Sequence, residues 1–201
     1  MKKIISLVLV LVMAAALCAC GKKEEVPQQA GVPNPMHECA SYDELVEATG
    51  IGLEAPEGAE DVAYMYIDVV GAPISQVTFK LDGKEFCYRA QPTSITSLSA
   101  DVEQEGTAEE LTDALDEAIT ACTTLSGMYY KWDEWKCSGL TDLENGRESV
   151  FAFNEGKEGF IAWLDVVPGV LYSLSMEKGA NQMLLMDTAE ACFVPLQGEV
   201  G

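Results

Sequence analysis

Apolar residues recur along the chain in two rhythms, the three-to-four-residue step of helices and the two-residue alternation of strands. Leu45, Val46 and Thr49 follow at helical intervals from Ser41-Tyr42-Asp43-Glu44, whose serine and glutamate stand at capping-box spacing. Gly50 occupies the place of a left-handed C-terminal cap, so a short helix over 42–49 is predicted. Residues 61–70 are rich in Tyr, Ile and Val, and the runs 75–81 and 85–90 flank the tight-turn pair Asp82-Gly83. These read as three strands, the last two a hairpin.

Between 92 and 106 the alternation is lost and the residues become Ser/Thr-rich, then acidic, which predicts a mobile surface loop. A second capping box at Thr107-Ala108-Glu109-Glu110 precedes Leu111, Ala114, Leu115, Ala118, Ile119 and Cys122, placing a helix over 108–122. After Gly127 the pattern is a meander, with strands expected at 128–135, 137–144, 147–154, 159–167 and 170–176. Asn145-Gly146, Asn154 to Lys157 and Pro168-Gly169 supply its turns. A last amphipathic helix is expected over 181–192. Strands joined by tight turns pair antiparallel, so the expected class is α+β. The expected architecture is one antiparallel meander sheet of about six to eight strands with two or three helices covering one face.

The first residues add a destination. Lys2 and Lys3 precede an apolar run from Ile4 to Leu17, interrupted by Ser6, and small residues lead to Gly21. This is the pattern of a secretory signal peptide, and the run is shorter than the ~20 residues of a spanning helix. Leu17-Cys18-Ala19-Cys20 resembles the lipobox of bacterial lipoproteins. The resemblance implies that the Cys20 thiol becomes a thioether to diacylglycerol, that the signal 1–19 is removed, and that acyl chains anchor the protein at the outer face of the cell membrane. Residues 20–36 are expected to form a lipidated flexible tether, and 37–201 a single α+β domain. In general style this domain resembles those carried by many Gram-positive lipoproteins.

Charge narrows the partners. The chain has 12 Lys+Arg and 33 Asp+Glu. Removing Lys2 and Lys3 with the signal leaves 10 against 33, a formal charge of −23. Such a chain does not bind nucleic acid through phosphate contacts and is repelled by anionic headgroups.

Motifs for catalysis are sparse. His37 is the single histidine, and the chain after Cys20 holds no C-x-x-C pair, so no metal site, catalytic residue or cofactor is predicted. Ser175-Met176-Glu177-Lys178 fits S-x-x-K of penicillin-recognising enzymes, but their S-D-N and K-T-G motifs are missing and no acylation is expected. No Walker loop, dinucleotide fingerprint or G-x-S-x-G elbow occurs. Asp133, Glu134 and Asp165 stand beside Trp132, Trp135 and Trp163, the neighbourhood of a sugar-cleaving carboxylate pair.

The most pronounced local feature is Met128-Tyr129-Tyr130-Lys131-Trp132-Asp133-Glu134-Trp135. The expected strand carries aromatics on both faces: if Met128, Tyr130 and Trp132 point to the core, Tyr129 points out with Lys131 and Asp133. Tyr129, Trp132 and Trp135 are the candidate binding residues. Cys39, Cys87, Cys122, Cys137 and Cys192 leave room for up to two disulfides. Two functions follow: a non-catalytic surface module for a peptide, glycan or protein, and alternatively an extracellular hydrolase using a carboxylate acid and base.

Overall fold

The computed structural model describes residues 34–98, 120–129, 134–144 and 146–192. The signal peptide, the lipobox with Cys20, most of the tether, residues 108–119 of the second expected helix, and Trp132 lie outside the described residues.

Eight strands form one open antiparallel sheet: β1 (Met36–Cys39), β2 (Glu60–Ile67), β3 (Ile74–Leu81), β4 (Lys84–Pro92), β5 (Cys137–Asp142), β6 (Glu148–Phe153), β7 (Gly159–Asp165) and β8 (Val170–Met176). The spatial order is β1-β2-β3-β4-β8-β7-β6-β5. Two four-stranded meanders therefore meet through β4 and β8, with Cys87 opposite Ser175 and Arg89 opposite Ser173. The α+β class and the antiparallel sheet agree with the expectation. Among the described residues three helical segments accompany it: α1 (Tyr42–Thr49), α2 (described over residues 120–126) and α3 (Gln182–Cys192).

Local chemistry accounts for many of the boundaries. Ser41 Oγ accepts from the Glu44 amide at 3.2 Å, and Glu44 Oε2 accepts from the Ala40 amide at 2.6 Å, so the capping box closes one residue outside its usual reach. At the other end of α1 the Gly50 amide donates to the Val46 carbonyl from a backbone with φ +76°. Asp82 and Gly83 both have positive φ, 50° and 73°, which gives the two-residue turn the twist the β3–β4 hairpin needs.

Both sheet faces are covered. Val77, Phe79, Phe86, Tyr88, Ile161, Trp163, Tyr172 and Leu174 project to one face and form a cluster with Leu45 of α1 and Leu185, Ala189 and Cys192 of α3. The alternate residues Val150, Ala152, Phe160, Ala162, Leu164 and Leu171 project to the other face and pack with Cys122 and Leu125 of α2 and with Leu98. The helices are thus divided two and one between the faces. Strands β6, β7 and β8 carry apolar residues at nearly every position, as strands covered on both sides do.

Three expectations need correction. β1 was not anticipated: the sheet begins at Met36, inside the expected tether, on a four-residue edge strand whose burial shows no alternation. The expected surface loop 92–106 is described only as far as 98: residues 93–98 are irregular, as expected, but Leu98 is fully buried in the second cluster, and 99–106 lie outside the described residues. The described ends of the aromatic segment are also not strand: residues 129 and 134 lie in 3₁₀ turns, and β5 begins only at Cys137.

Candidate functional site

The second face changes character along the sheet. One row of cross-strand neighbours runs Met65, Gln76, Arg89, Ser173, Ala162, Val150 from β2 to β6. It is apolar beneath α2 and polar over β3 and β4. The next row outward is Thr78, Cys87 and Ser175, and beyond it Lys80 pairs with Glu85 across the hairpin. A groove of about 420 Å³ lies over these polar rows, with Ser126, Gly127 and Met128 lining its wall. That volume lies within the range of small-molecule sites.

Arg89 anchors the inner end. Its Nε donates to Gln76 Oε1 at 2.7 Å and its Nη1 donates to the Leu125 carbonyl at 3.0 Å. Gln76 is 3% exposed, and its amide nitrogen is directed to the Met65 sulfur, which leaves its oxygen turned to the guanidinium. Leu125 belongs to the last turn of α2, where a cation complements the free carbonyls. Two of the five guanidinium N–H groups are used in these bonds, and among the described residues no carboxylate pairs with Arg89.

The wall is shaped to admit this side chain. Gly127 ends α2 with φ +76°, and a Cβ built there would stand 2.5 Å from Arg89 Nη1. Glycine is favoured there by its left-handed backbone, and an added Cβ would require the tip of Arg89 to shift. Ser126 and Ser175 complete the lining: Ser175 Oγ lies 3.4 Å from both the Cys87 and the Ser126 carbonyls. Burial pushes the Cys87 thiol up, outweighing the opposing effects of Arg89 and Ser175 beside it. The thiol is therefore held neutral and is a poor nucleophile.

The outer end is acidic. Lys80 Nζ lies 2.8 Å from Asp61 Oδ2 and 3.7 Å from Glu85 Oε1, and Glu177 also lines the groove. The side-chain hydrogen bond that Lys80 donates to Asp61 is the largest influence raising the lysine above its ordinary range.

The residues singled out from sequence fall in different places. Tyr129 is 59% exposed and follows Met128, which is 3% exposed. Trp135 is half-buried, its ring edge-on to Phe160 with centroids 5.8 Å apart. Trp163 is fully buried and packs against both Tyr88 and Tyr172, with centroid distances of 5.7 and 5.5 Å, so it offers no platform for a sugar. Ser175 is a strand residue directed to main-chain carbonyls, not a serine at a helix start. His37 stacks on Tyr66 at 4.6 Å on β1. All five cysteines after Cys20 are free thiols. Among the described residues no group of His, Cys, Asp and Glu has the geometry of a metal site.

Sequence reading missed Arg89, Gln76 and Gly127. One signal was present: an arginine between Tyr88 and Ala90 on a strand of a chain this poor in cations. The chain matches no family model, no curated protein and no solved structure.

Proposed function

We propose that this protein is an extracytoplasmic lipoprotein, held at the outer face of the cell membrane by lipid on Cys20, whose folded part binds a ligand without transforming it. The single observation that carries the binding reading is the groove over β3, β4 and β8, with Arg89 fixed at its inner end and paired to no carboxylate among the described residues. A cation held in place by a buried amide and a helix-terminal carbonyl needs no rearrangement to meet an anionic group, which is the preorganisation that binding sites exploit. Tyr129, next to the wall residue Met128, is exposed and adds an aromatic surface close by.

The anchoring reading is supported by the residues at 17–20. No described helix is long and apolar enough to cross a membrane. Of the residues behind the hydrolase alternative, Trp163 lies in the core, away from any sugar, while Trp132 and Asp133 lie outside the described residues. Among the described residues, the neutral Cys87 and the carbonyl-bound Ser175 give the groove no activated nucleophile.

Two measurements test the proposal. Cys20→Ser moves the protein from the membrane fraction to the soluble one; retention in the membrane contradicts the anchoring. A panel of amino acids, short peptides, oligosaccharides and neutral fragments, followed by amide chemical shifts, perturbs residues 85–89 and 126–128. A panel that leaves those residues unmoved contradicts the binding site.

A further inference from the structure

We infer that the end of the sheet carrying Val70 and Val167 faces the outer leaflet of the membrane, with two apolar connections resting among electrically neutral lipid headgroups. This rests on the anchoring through Cys20 and adds which part of the folded chain meets the bilayer.

Topology brings these connections to the end of the sheet where the chain from Cys20 arrives. β1 begins at Met36, which pairs with Ile67 at the close of β2. From there a line of hydrogen bonds crosses the strand ends. The Asp68 amide donates to the Pro35 carbonyl at 2.7 Å, Gln91 Nε2 to the Ala72 carbonyl at 3.3 Å, and the Thr93 amide to the Gly169 carbonyl at 2.8 Å. The β2–β3 loop and the β7–β8 turn therefore stand at the same end as Pro35, bridged by the last residues of β4. Their composition sets them apart, because connections are ordinarily built from polar residues. Val69-Val70-Gly71-Ala72-Pro73 and Val166-Val167-Pro168-Gly169 hold no polar or charged side chain. Val70 is fully exposed, Val167 is 91% exposed, and Val166 and Met36 are close to half exposed. At the opposite end the connections are charged: Asp82-Gly83 runs into Lys84, and residues 154–158 include Glu155, Lys157 and Glu158. A lone exposed valine is ordinary, but apolar tips collected at one end mark a contact.

The length of the chain before β1 selects the occupant. Cys20 stands fifteen residues ahead of Pro35, and fifteen residues reach at most about 50 Å when fully extended. Lipid on Cys20 thus keeps a bilayer within reach of this end at all times. A second contact on an anchored chain is intramolecular, so tips too small to hold a free protein can still orient a tethered one. Asp68 and Asp165 flank the two connections, and the β5–β6 connection at the far edge carries Glu144 and Arg147. These charges stay in water, limit the contact to the valine tips, and make an anionic leaflet unfavourable.

The test uses the full chain purified from membranes, labelled with nitrogen-15 and placed in phosphatidylcholine nanodiscs, with and without nitroxide on the lipid acyl chains. Nitroxide is expected to weaken the amide signals of Val70, Gly71 and Val167 severalfold and to leave those of Gly83 and Gly156, at the opposite end, unchanged. Val70→Asp with Val167→Asp should lower the contacting population about tenfold, while the lipid keeps the protein in the nanodisc. Both positions are exposed, and an unmoved Trp163 indole signal verifies that this variant is folded. Phosphatidylglycerol mixed into the nanodisc should weaken the contact, and added salt should restore it. Equal weakening at both ends of the sheet, or stronger weakening at Gly83 and Gly156, overturns the inference and leaves the anchoring intact. Weakening that the double variant does not change overturns it as well. Val70 and Val167 signals that move with the concentration of the lipid-free Cys20→Ser chain assign this end to a second copy and overturn the membrane contact. Mass spectrometry that finds no acyl chains on Cys20 removes the anchoring and this inference together.

Discussion

Gly127→Ala measures how tightly the groove wall is built on Arg89. Two costs combine at this position. The backbone has φ +76°, a left-handed conformation that costs a residue with a Cβ about 1–2 kcal/mol. The new methyl would also sit 2.5 Å from Arg89 Nη1, which must move and so give up its bonds to the Leu125 carbonyl and to Gln76. Hydrogen bonds from a charged donor contribute about 1.5–3 kcal/mol, and water at this half-buried site restores part of that, so the second cost is about 1–2 kcal/mol. The total is about 2–4 kcal/mol. Gly50 provides the control, since it too ends a helix at φ +76° but has nothing within 4 Å of a built Cβ. Gly50→Ala should cost only the backbone share. Urea denaturation of both variants, repeated in an Arg89→Met background, forms a double-mutant cycle. In that background Gly127→Ala should fall to the cost of Gly50→Ala. Equal losses for Gly127→Ala and Gly50→Ala in the native background refute the packing of the wall on the guanidinium.

Tyr129→Ala should leave the urea midpoint within about 0.5 kcal/mol of the parent, because the ring is mostly exposed, whereas Trp135→Ala should cost about 2 kcal/mol by emptying the space beside Phe160. Equal losses in the two would contradict their placement. Burial raises the thiols of Cys122 and Cys192 to about 12. A raised folded value stabilises the protein fully below the unfolded value near 9 and is lost as pH climbs toward 12, up to about 4 kcal/mol for each thiol. Stability should therefore fall between pH 9 and pH 12, less so in a Cys122→Ala, Cys192→Ala variant; an identical decline in both proteins contradicts this. Maleimide at neutral pH should label the exposed Cys137 first and spare Cys122 and Cys192 until the chain unfolds. Early labelling of either buried thiol, followed by mass spectrometry of peptides, would show the core to be open.

What the sequence made legible was local chemistry with few alternatives. The serine and glutamate around Tyr42 set the start of α1, Gly50 set its end, and Asp82-Gly83 set the hairpin, because each is satisfied within a few residues. β1 escaped notice because an edge strand of four residues buries only Cys39 and so carries no period to read. The aromatic segment misled for the opposite reason. Tyr and Trp favour strands in general, yet Trp135 is held against Phe160 from outside the sheet, where packing outweighs propensity. The groove depends on β4 meeting β8, residues distant in sequence, such as Cys87 and Ser175, and no local pattern announces that pairing. Arg89 could be seen as unusual, but its partners Gln76, Leu125 and Gly127 come from a neighbouring strand and from the end of a helix.

The most direct test of the binding reading is crystallographic. Crystals of the soluble Cys20→Ser chain, soaked one compound at a time in a set of small carboxylates, zwitterions, cations and neutral molecules, report where ligands settle. The account predicts density in the groove over β3, β4 and β8, with a carboxylate against Arg89 and the side chain itself in place before and after binding. Ligands that gather elsewhere while the groove stays empty, or an Arg89 that swings away from Gln76 and the Leu125 carbonyl in the free protein, would contradict it.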